Sequence, residues 1–386
     1  MTNKINKWIS WRRQIHENPE LAFEEFQTAD FLLARLNEIR CDSIVSSFAE
    51  TGIIAEIKGL AGEGPAIALR ADMDALAIEE QNEVDYKSKN GGKMHACGHD
   101  GHMAMLLGAI DELAQKRDQI CGSVYFIFQP AEENEGGGQR MVEEGLFEKF
   151  PIKEVYGMHN WPGLPAGDFA LKKGPIMAAA DRFDLIVKGV GGHAAMPHMA
   201  RDPIITASSI VSALQHAVSR RQKPMDPVVL SITGIHGGDA YNVIPEEVRI
   251  FGSLRTLSRE SRQEMFDRID SIAQSVAHAH ECECEVKILK GYPSTINHEE
   301  PYQKALKAAR ATVGEERVDE NTEASMASED FSFLLNACPG NYMFIGNGPG
   351  EGGCLLHNPH YNFNDEVIET GVKFWVNLVL QEQGRS

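Results

Sequence analysis

Apolar residues recur along the chain with two different spacings, and these predict helices and strands that alternate. Helical spacing of apolar residues predicts helices over residues 4–15, 24–39, 203–220, 302–313 and 365–381. Short apolar runs predict strands near residues 53–57, 66–71, 123–128 and 343–346. The run at 123–128 is apolar almost throughout, which is typical of a strand buried on both faces in a parallel sheet. These parts of the chain therefore predict an α/β fold.

The middle of the chain has a different order of elements. Strands are predicted near residues 182–188, 228–235, 247–255 and 284–289, with one helix after the first strand and another after the third. Ser261 and Glu264 form a capping-box pattern that would open the second helix. The resulting order, β-α-β-β-α-β, is the ferredoxin-like arrangement. Residues 179–291 are therefore predicted to be an inserted α+β domain, and residues 1–178 and 292–386 to form one discontinuous domain.

Composition excludes several classes of partner. The chain has 386 residues, 42% of them apolar, with a net charge of −19 and no long block of Lys or Arg. This argues against nucleic acid or an anionic membrane as a partner. No run of eighteen apolar residues could span a membrane. The first residues are polar and lack the apolar core of a signal peptide. Seven scattered cysteines do not form a disulfide-like framework, so we expect a cytoplasmic protein.

Residues 94–102 carry the densest candidate chemistry, with three His, one Cys and one Asp. Cys97 and His99 flank a single glycine, so both side chains can reach one site from a tight turn. Thiolate and imidazole are ligands that zinc and neighbouring divalent metals prefer. The apolar residues that follow have helical spacing, so this stretch is predicted to run into a helix N-terminus. A metal site is preferred over a polar turn with a buried thiol.

Further ligand-type residues follow predicted strands. Asp72 and Asp74 come after the strand at 66–71, and Glu132 and Glu133 come after the strand at 123–128. Two histidines follow later strands in the same way, His159 and His357. The ends of strands are where α/β sheets place their chemistry. Each residue alone also fits a plainer role: Asp74 could cap the next segment, and the glutamates could belong to an acidic surface loop.

Taken together, the ligand candidates are five: Cys97, His99, Glu133, His159 and His357. A catalytic zinc usually takes three protein ligands and leaves a position for water, so five can serve two ions that share a bridge. Glu132 is then a carboxylate beside the ligands that can take a proton from water and pass it to a leaving amine.

Eight segments in order along nearly the whole chain carry a family resemblance, namely residues 11–20, 69–76, 94–102, 129–133, 157–160, 191–198, 242–245 and 356–358. With these segments the chain resembles the metal-dependent aminoacylases, the amidohydrolases that include hippurate hydrolase and the plant auxin–amino-acid conjugate hydrolases. The resemblance implies a zinc-peptidase-like catalytic domain with a mixed central sheet flanked by helices. It also implies that the ferredoxin-like insertion is a lid through which the chain forms a homodimer or a higher homo-oligomer.

The resemblance also assigns residues. It makes the five candidates ligands of two divalent metal ions, Zn²⁺ or Mn²⁺ with Co²⁺ or Ni²⁺ as alternatives, and makes Glu132 the general base. Asp72 would orient a ligand or tune the base. His193 would stabilise the oxyanion or bind substrate, in its own or a partner's site. Asn242 and Arg255 would hold the substrate carboxylate. One departure concerns the wider superfamily, whose di-zinc peptidases use a His and a bridging Asp where this chain has Arg70 and the Cys97/His99 pair.

The reaction expected from these assignments is hydrolysis of a small N-acyl amino acid to a carboxylic acid and a free amino acid. A dipeptidase or carboxypeptidase on the same scaffold is the nearest alternative, because the chemistry is identical and only the pocket differs. A nicotinamide enzyme is disfavoured: residues 189–194 match a dinucleotide fingerprint, but Pro197 and Pro203 interrupt the helix that should follow. A metal-binding protein without activity is disfavoured because storage requires no base beside the ligands.

Overall fold

The computed structural model describes residues 2–349 and 354–384, and these form two compact units. The first unit contains the chain up to Ile176, the segment Ile296–Glu323 and the chain from Asp330 onward. The second contains Met177–Thr295 and Ala324–Glu329. Residues 1, 350–353, 385 and 386, which the predicted discontinuous domain includes, lie outside the described residues. Within the described part, no helix is both long and apolar enough to cross a bilayer.

Strands and helices alternate through the first unit and again through the second. The strands are β1 (Ser43–Phe48), β2 (Gly52–Lys58), β3 (Ala66–Asp72), β4 (Ser123–Gln129), β5 (Ile152–Pro162), β6 (Phe169–Ala170), β7 (Gly174–Met177), β8 (Ala179–Lys188), β9 (Gly192–His193), β10 (Val228–His236), β11 (Val243–Ile244), β12 (Glu247–Thr256), β13 (Glu283–Leu289), β14 (Thr295–Asn297), β15 (Val318–Asp319) and β16 (Gly340–Gly348). The helices are α1 (Thr2–His16), α2 (Phe26–Ile39), α3 (His99–Leu113), α4 (Gly137–Glu143), α5 (Leu146–Lys149), α6 (Pro203–Arg221), α7 (Arg259–Ala279), α8 (Glu299–Val313), α9 (Phe331–Ala337) and α10 (Ile368–Gln383).

The first unit is built on a mixed sheet with the strand order β1-β2-β4-β3-β5-β16-β6-β15. Its central strands β4, β3, β5 and β16 are parallel to one another, whereas β2 runs antiparallel to β4 and β6 antiparallel to β16. The predicted α/β fold with a mixed central sheet is confirmed. Because the central strands are parallel, their carboxyl ends meet at the same edge. The candidate ligands lie in or directly after the loops that leave this edge, except His159, which is near the end of β5 itself.

Helix α3 lies in the core of the first unit and packs against α1 and α10. All of its residues except Glu112 are buried, which explains why apolar and small residues occur on every face of the helix. Two glycines permit this close packing. A Cβ atom on Gly101 would lie 2.2 Å from the ring of Phe363, and one on Gly108 would lie 2.5 Å from Val372. The helix that begins at the candidate metal loop is therefore held tightly in place.

The second unit is a four-stranded antiparallel sheet in the order β10-β12-β8-β13, with α6 and α7 packed on it. Chain order and strand order together are those of a ferredoxin-like fold, as predicted. Buried side chains alternate along β8, so that Phe183, Leu185 and Val187 enter the core. The predicted cap of α7 was wrong by one turn. Ser258 is the N-cap and accepts a hydrogen bond from the backbone N–H of Ser261 at 3.0 Å.

Candidate metal centre

Three of the predicted ligands form one buried group in the first unit. The ligand atoms of Cys97, His99 and His159 all lie within 4.8 Å of one another, and Cys97 Sγ lies 3.3 Å from His159 Nε2. His99 is the first residue of α3, and Gly98 before it has a φ of 92°. A Cβ atom on Gly98 would lie 2.3 Å from Asn160 Nδ2, so only glycine fits this turn.

The other two predicted ligands form a second group that shares Cys97 with the first. The ligand atoms of Cys97, Glu133 and His357 lie within 4.8 Å of one another. His357 Nε2 is 3.3 Å from Glu133 Oε2, and His99 Nε2 is 3.8 Å from Glu133 Oε1. Half of the His357 side chain is exposed, whereas the Glu133 carboxylate is 8% exposed. The structure thus brings all five predicted ligands into two groups with one common member.

The hydrogen bonds of the two buried histidines leave their Nε2 atoms available. His99 Nδ1 donates to the backbone carbonyl of Asp74 at 2.9 Å, and His159 Nδ1 donates to the carbonyl of Asn160 at 2.6 Å. Such bonds fix the tautomer in which Nε2 carries the lone pair that binds a metal. Among the described residues, His99 Nε2 and Glu133 Oε1 are buried without a hydrogen-bond partner. The donor set of thiol, imidazole and carboxylate therefore fits two divalent cations.

The electrostatics of the group favour a bound cation. Burial and the charges of Glu133 and Glu132 raise the pKa of the Cys97 thiol well above its usual value. Burial opposes protonation of His99, but the carboxylates of Asp72 and Asp74 raise its pKa to about 10. Both shifts describe a negative cluster that stabilises a positive charge at its centre. A divalent metal would supply that charge and would favour the thiolate form of the cysteine.

Asp72 is fully buried beside this group, with its Oδ2 3.8 Å from His99 Nε2. Its Oδ2 accepts from Arg70 Nη1 at 2.6 Å, and its Oδ1 accepts from His102 Nδ1 at 2.6 Å. Burial alone would raise the pKa of Asp72, but the charges of His99 and Arg70 and the hydrogen bond from His102 hold it well below its usual value. His102 Nε2 in turn accepts from the backbone N–H of Asn160 at 3.0 Å. Asp72 is therefore an ionised carboxylate that fixes the residues around the ligands.

A second chain of contacts runs from Arg70 to the segment that holds Glu132. Arg70 Nη2 donates to Asp330 Oδ1 at 3.0 Å, and Asp330 Oδ2 accepts from the backbone N–H of Gly138 at 2.7 Å. The backbone N–H of Asp330 donates to Glu132 Oε1 at 3.4 Å. Glu132 is 6% exposed, and its ligand-type oxygen lies within 4.8 Å of those of His99 and Glu133. The predicted base is thus adjacent to the predicted ligands.

The sequence patterns assign no role to Asp330 or His102, and they mark Arg70 only as a departure from the wider superfamily. One signal could have identified Arg70, because it is a charged residue within an otherwise apolar predicted strand. A buried arginine in a parallel strand requires carboxylate partners near the strand ends. The sequence separation of Asp330 from Arg70 leaves its identity invisible to any local pattern.

The remaining predicted residues lie in the second unit. His193 is opposite Val243 in the pairing of β9 with β11, and the backbone N–H of Ala194 donates to the carbonyl of Asn242 at 3.0 Å. His193 and Asn242 are therefore neighbours, and both are exposed. Arg255 lies near the end of β12, where its Nη1 donates to Ser328 Oγ at 3.1 Å. Burial lowers the pKa of Arg255 although the charge of Asp181 opposes the shift.

Comparison with known proteins places the chain among metallohydrolases. The family model described as "Peptidase family M20/M25/M40" matches residues 68–381. Hippurate hydrolase of Campylobacter jejuni is 39% identical over 96% of this chain and 95% of that protein. Thermostable carboxypeptidase 2 of Saccharolobus solfataricus is 38% identical over 95% of this chain and 93% of that protein. The crystal structure of Bacillus subtilis YXEP, described as a dinuclear metal-binding peptidase, matches with a TM-score of 0.88 and 34% identity over 98% of both chains.

Proposed function

We propose that this chain, which belongs to the peptidase family M20/M25/M40, hydrolyses the amide bond of N-acyl amino acids to give a carboxylic acid and a free amino acid. The observation that carries the proposal is the position of Glu132. This carboxylate is buried and adjacent to the ligand atoms, but it belongs to neither of the two groups that the five predicted ligands form. The similarity to hippurate hydrolase supports an acylated amino acid as the substrate.

Two divalent cations would be held by the five predicted residues. The proposed ligands are Cys97, His99, Glu133, His159 and His357. The dinuclear site named for the Bacillus subtilis structure supports this number of ions. A thiol and three imidazoles favour Zn²⁺, and Mn²⁺ is the main alternative, followed by Co²⁺ and Ni²⁺. When bound, the cations would supply Lewis-acid polarisation of the amide carbonyl and acidification of a water molecule.

The chain's own residues would handle the protons. Glu132 would accept a proton from the attacking water while the water oxygen forms a bond to the acyl carbon. As the C–N bond breaks, the same proton would pass from Glu132 to the nitrogen of the leaving amino acid. The Asp330 N–H fixes one oxygen of Glu132, and Asp72 fixes His102 and the backbone beside His159. These contacts hold the base and the ligands in place without taking part in proton transfer.

The roles of residues in the second unit extend the proposal. We propose residues 179–291 as a lid that also mediates a homodimer or a higher homo-oligomer. His193 would stabilise the oxyanion or bind substrate, and Asn242 and Arg255 would hold the substrate carboxylate, a task for which a guanidinium is well shaped. The adjacency of His193 and Asn242 supports a shared site for these two residues. A cytoplasmic location is supported by the seven cysteines, all of which are free thiols.

A substrate panel tests the proposal. Purified protein is treated with chelator and then assayed with N-acetyl amino acids, N-benzoyl amino acids and dipeptides, with and without added zinc or manganese. Release of free amino acid from acyl substrates that returns only with metal is the expected result. Release from dipeptides alone would instead favour a peptidase on the same scaffold, an alternative supported by the carboxypeptidase relative.

Glu132→Gln tests the base separately from the metal site. We expect a loss of kcat of about 10² to 10⁴, the usual contribution of general acid–base catalysis, with metal content near that of the wild type. Glu135→Gln is the matched control, because Glu135 is an exposed acid in the same loop. Its kcat should match that of the wild type. Loss of metal together with activity in Glu132→Gln would make Glu132 a ligand rather than the base.

A further inference from the structure

Two glutamates just before helix α2 have buried carboxylates with different partners. Glu20 accepts from the backbone N–H groups of Gln27 and Thr28 at 3.1 and 2.8 Å, so it satisfies the free donors at the start of α2. Glu25 is the residue at the N-cap position of α2, but its side chain makes no capping bond. Glu25 is fully buried, and its carboxylate is directed elsewhere.

The carboxylate of Glu25 connects the turn between β1 and β2 with the loop after β4. Its Oε2 accepts from the Thr51 hydroxyl at 2.6 Å, and its Oε1 accepts from the backbone N–H of Ala131 at 2.9 Å. Ala131 is the residue immediately before Glu132, and it is fully buried. Glu25 therefore holds the peptide unit that leads directly into the proposed base.

The backbone at Ala131 requires such support. Its φ is 55°, a left-handed conformation that is unfavourable for any residue with a Cβ atom. The same turn is closed on its other side by a hydrogen bond from the N–H of Gly137 to the carbonyl of Ala131 at 3.0 Å. A Cβ atom on Gly137 would lie 1.8 Å from the carbonyl oxygen of Pro130. The turn is thus held in a strained shape by contacts at both of its ends.

We propose that Glu25 is a positioning residue for the reaction proposed above: by accepting the Ala131 N–H it fixes the turn that directs Glu132 toward the metal centre. The expected effect on kcat rests on the proposed function, but the hydrogen bond from the Ala131 N–H to Glu25, here called the clamp, is a property of the fold. It predicts that loss of the acceptor lowers kcat, whereas KM and metal content change little. The five proposed ligands do not contact Glu25 through any hydrogen bond or ion pair described in the structure.

The protonation state of Glu25 indicates which property of the side chain is needed. Burial raises the pKa of Glu25 to about 7, with a smaller contribution from the charge of Asp74, although the Thr51 hydrogen bond lowers it. A group that is part neutral near pH 7 cannot serve as an obligatory charge. The neutral acid and the carboxylate both retain an oxygen that accepts the Ala131 N–H. Glutamine retains the same oxygen, so Glu25→Gln should preserve the clamp.

The experiment compares Glu25→Ala, which removes the acceptor, with Glu25→Gln, which keeps it, and with Glu20→Ala as a structural control. Misplacement of a catalytic group by about 1 Å can cost about a hundredfold in rate, so kcat of Glu25→Ala should fall about a hundredfold with KM within about threefold. Metal bound per chain should not change. Glu25→Gln should restore kcat to within about threefold of the wild type. Glu20→Ala should lower the melting temperature but leave kcat of the folded protein unchanged.

A second readout does not depend on activity. Hydrogen exchange of the Ala131 amide, measured by mass spectrometry on a peptide covering the loop, should be slow in the wild type and Glu25→Gln and fast in Glu25→Ala, with or without metal. If Glu25→Ala does not fold, Glu25→Asp provides the test, because a side chain one methylene shorter withdraws the acceptor. Glu25→Asp should lose kcat and the protection of the Ala131 amide against exchange, each to a smaller extent than Glu25→Ala.

Three results would overturn the inference: unchanged kcat in Glu25→Ala, an equal loss in Glu25→Gln, or unchanged exchange at Ala131. Absence of hydrolysis by the wild type would contradict the proposed function, and the exchange data would then decide on the clamp alone.

Discussion

The buried ion pair between Arg12 and Asp100 gives a quantitative test of how the start of helix α3 is held. Arg12 Nε donates to Asp100 Oδ2 at 2.7 Å, and both side chains are fully buried. Arg12 Nη2 also donates to Asn362 Oδ1 at 2.9 Å. Asp100 directly follows His99, so this pair anchors the turn that carries two of the proposed ligands. The perturbation is Arg12→Met, which keeps much of the volume and removes the charge.

The structure also provides a control, an ion pair between the same two helices that is more exposed. Lys4 and Glu112 form an ion pair of 2.6 Å that likewise joins α1 to α3, but their side chains are 43% and 20% exposed. Breaking a buried pair from one side leaves an uncompensated charge and costs about 3–5 kcal/mol. A partly exposed pair contributes about 0–1 kcal/mol. Arg12→Met should therefore lower the free energy of unfolding by several times more than Lys4→Met does.

Urea denaturation followed by tryptophan fluorescence is the appropriate assay. All four tryptophans, at positions 8, 11, 161 and 375, lie in the first unit, so the signal reports on the unit that contains the mutation. The double variant Arg12→Met/Asp100→Asn should recover part of the loss, because it also removes the carboxylate charge, whose remaining partner is His16 Nδ1 at 2.8 Å. A loss in Arg12→Met no larger than that in Lys4→Met would refute the argument that burial sets the value of this pair.

Three further predictions concern stability. Gly101→Ala places a methyl group 2.2 Å from the ring of Phe363 and should cost about 1–3 kcal/mol in the same urea assay. In the second unit, Arg262 donates to both oxygens of the buried Asp181 at 2.8 and 2.6 Å, so Arg262→Met should cost about 2–3 kcal/mol, seen as faster hydrogen exchange confined to that unit. The pKa of Glu25, raised to about 7, means that the unfolded chain loses this proton at lower pH than the folded protein does. As pH rises from about 4.5 to above 7, the free energy of unfolding of the wild type should therefore fall by about 3 kcal/mol relative to that of Glu25→Gln. Urea denaturation across that pH range measures the difference.

The predictable parts of the fold are those specified by local pattern. The strand at residues 123–128 was identified because both of its faces are buried, and β4 covers Ser123–Gln129. Strand β1 was not predicted, since most of its residues are exposed or half-buried and carry no apolar alternation. The start of α7 was misplaced because Ser258 and Ser261 are both suitable caps three residues apart. Only the geometry of the backbone shows which of them caps the helix.

The same distinction applies to the candidate site: local patterns identify some of its residues and not others. The proposed ligands could be found because each is a His, Cys or Glu at a strand end or in a dense cluster. The residues that hold them could not, because their partners lie far away in sequence: Arg70 and Asp330 are separated by 260 residues. Glu25 escaped notice for a different reason. Its position suggests a helix cap, and only the structure shows that the carboxylate accepts from Ala131 instead.

The distribution of buried charge explains how the fold accommodates Arg70 within a buried strand. The guanidinium is paired with Asp72 at 2.6 Å and with Asp330 at 3.0 Å, so the chain itself supplies a positive charge to these two carboxylates. The surroundings of Glu133 are different: among the described residues its ion pairs are with histidines alone. A buried carboxylate is costly without a positive charge beside it, so the surroundings of Glu133 favour a bound cation. His99 at the start of α3 presents an Nε2 that has no hydrogen-bond partner and lies 3.8 Å from Glu133 Oε1. Asp72 and Asp330, which orient the site, are thus paired with an arginine, whereas Glu133, which would bind metal, is not.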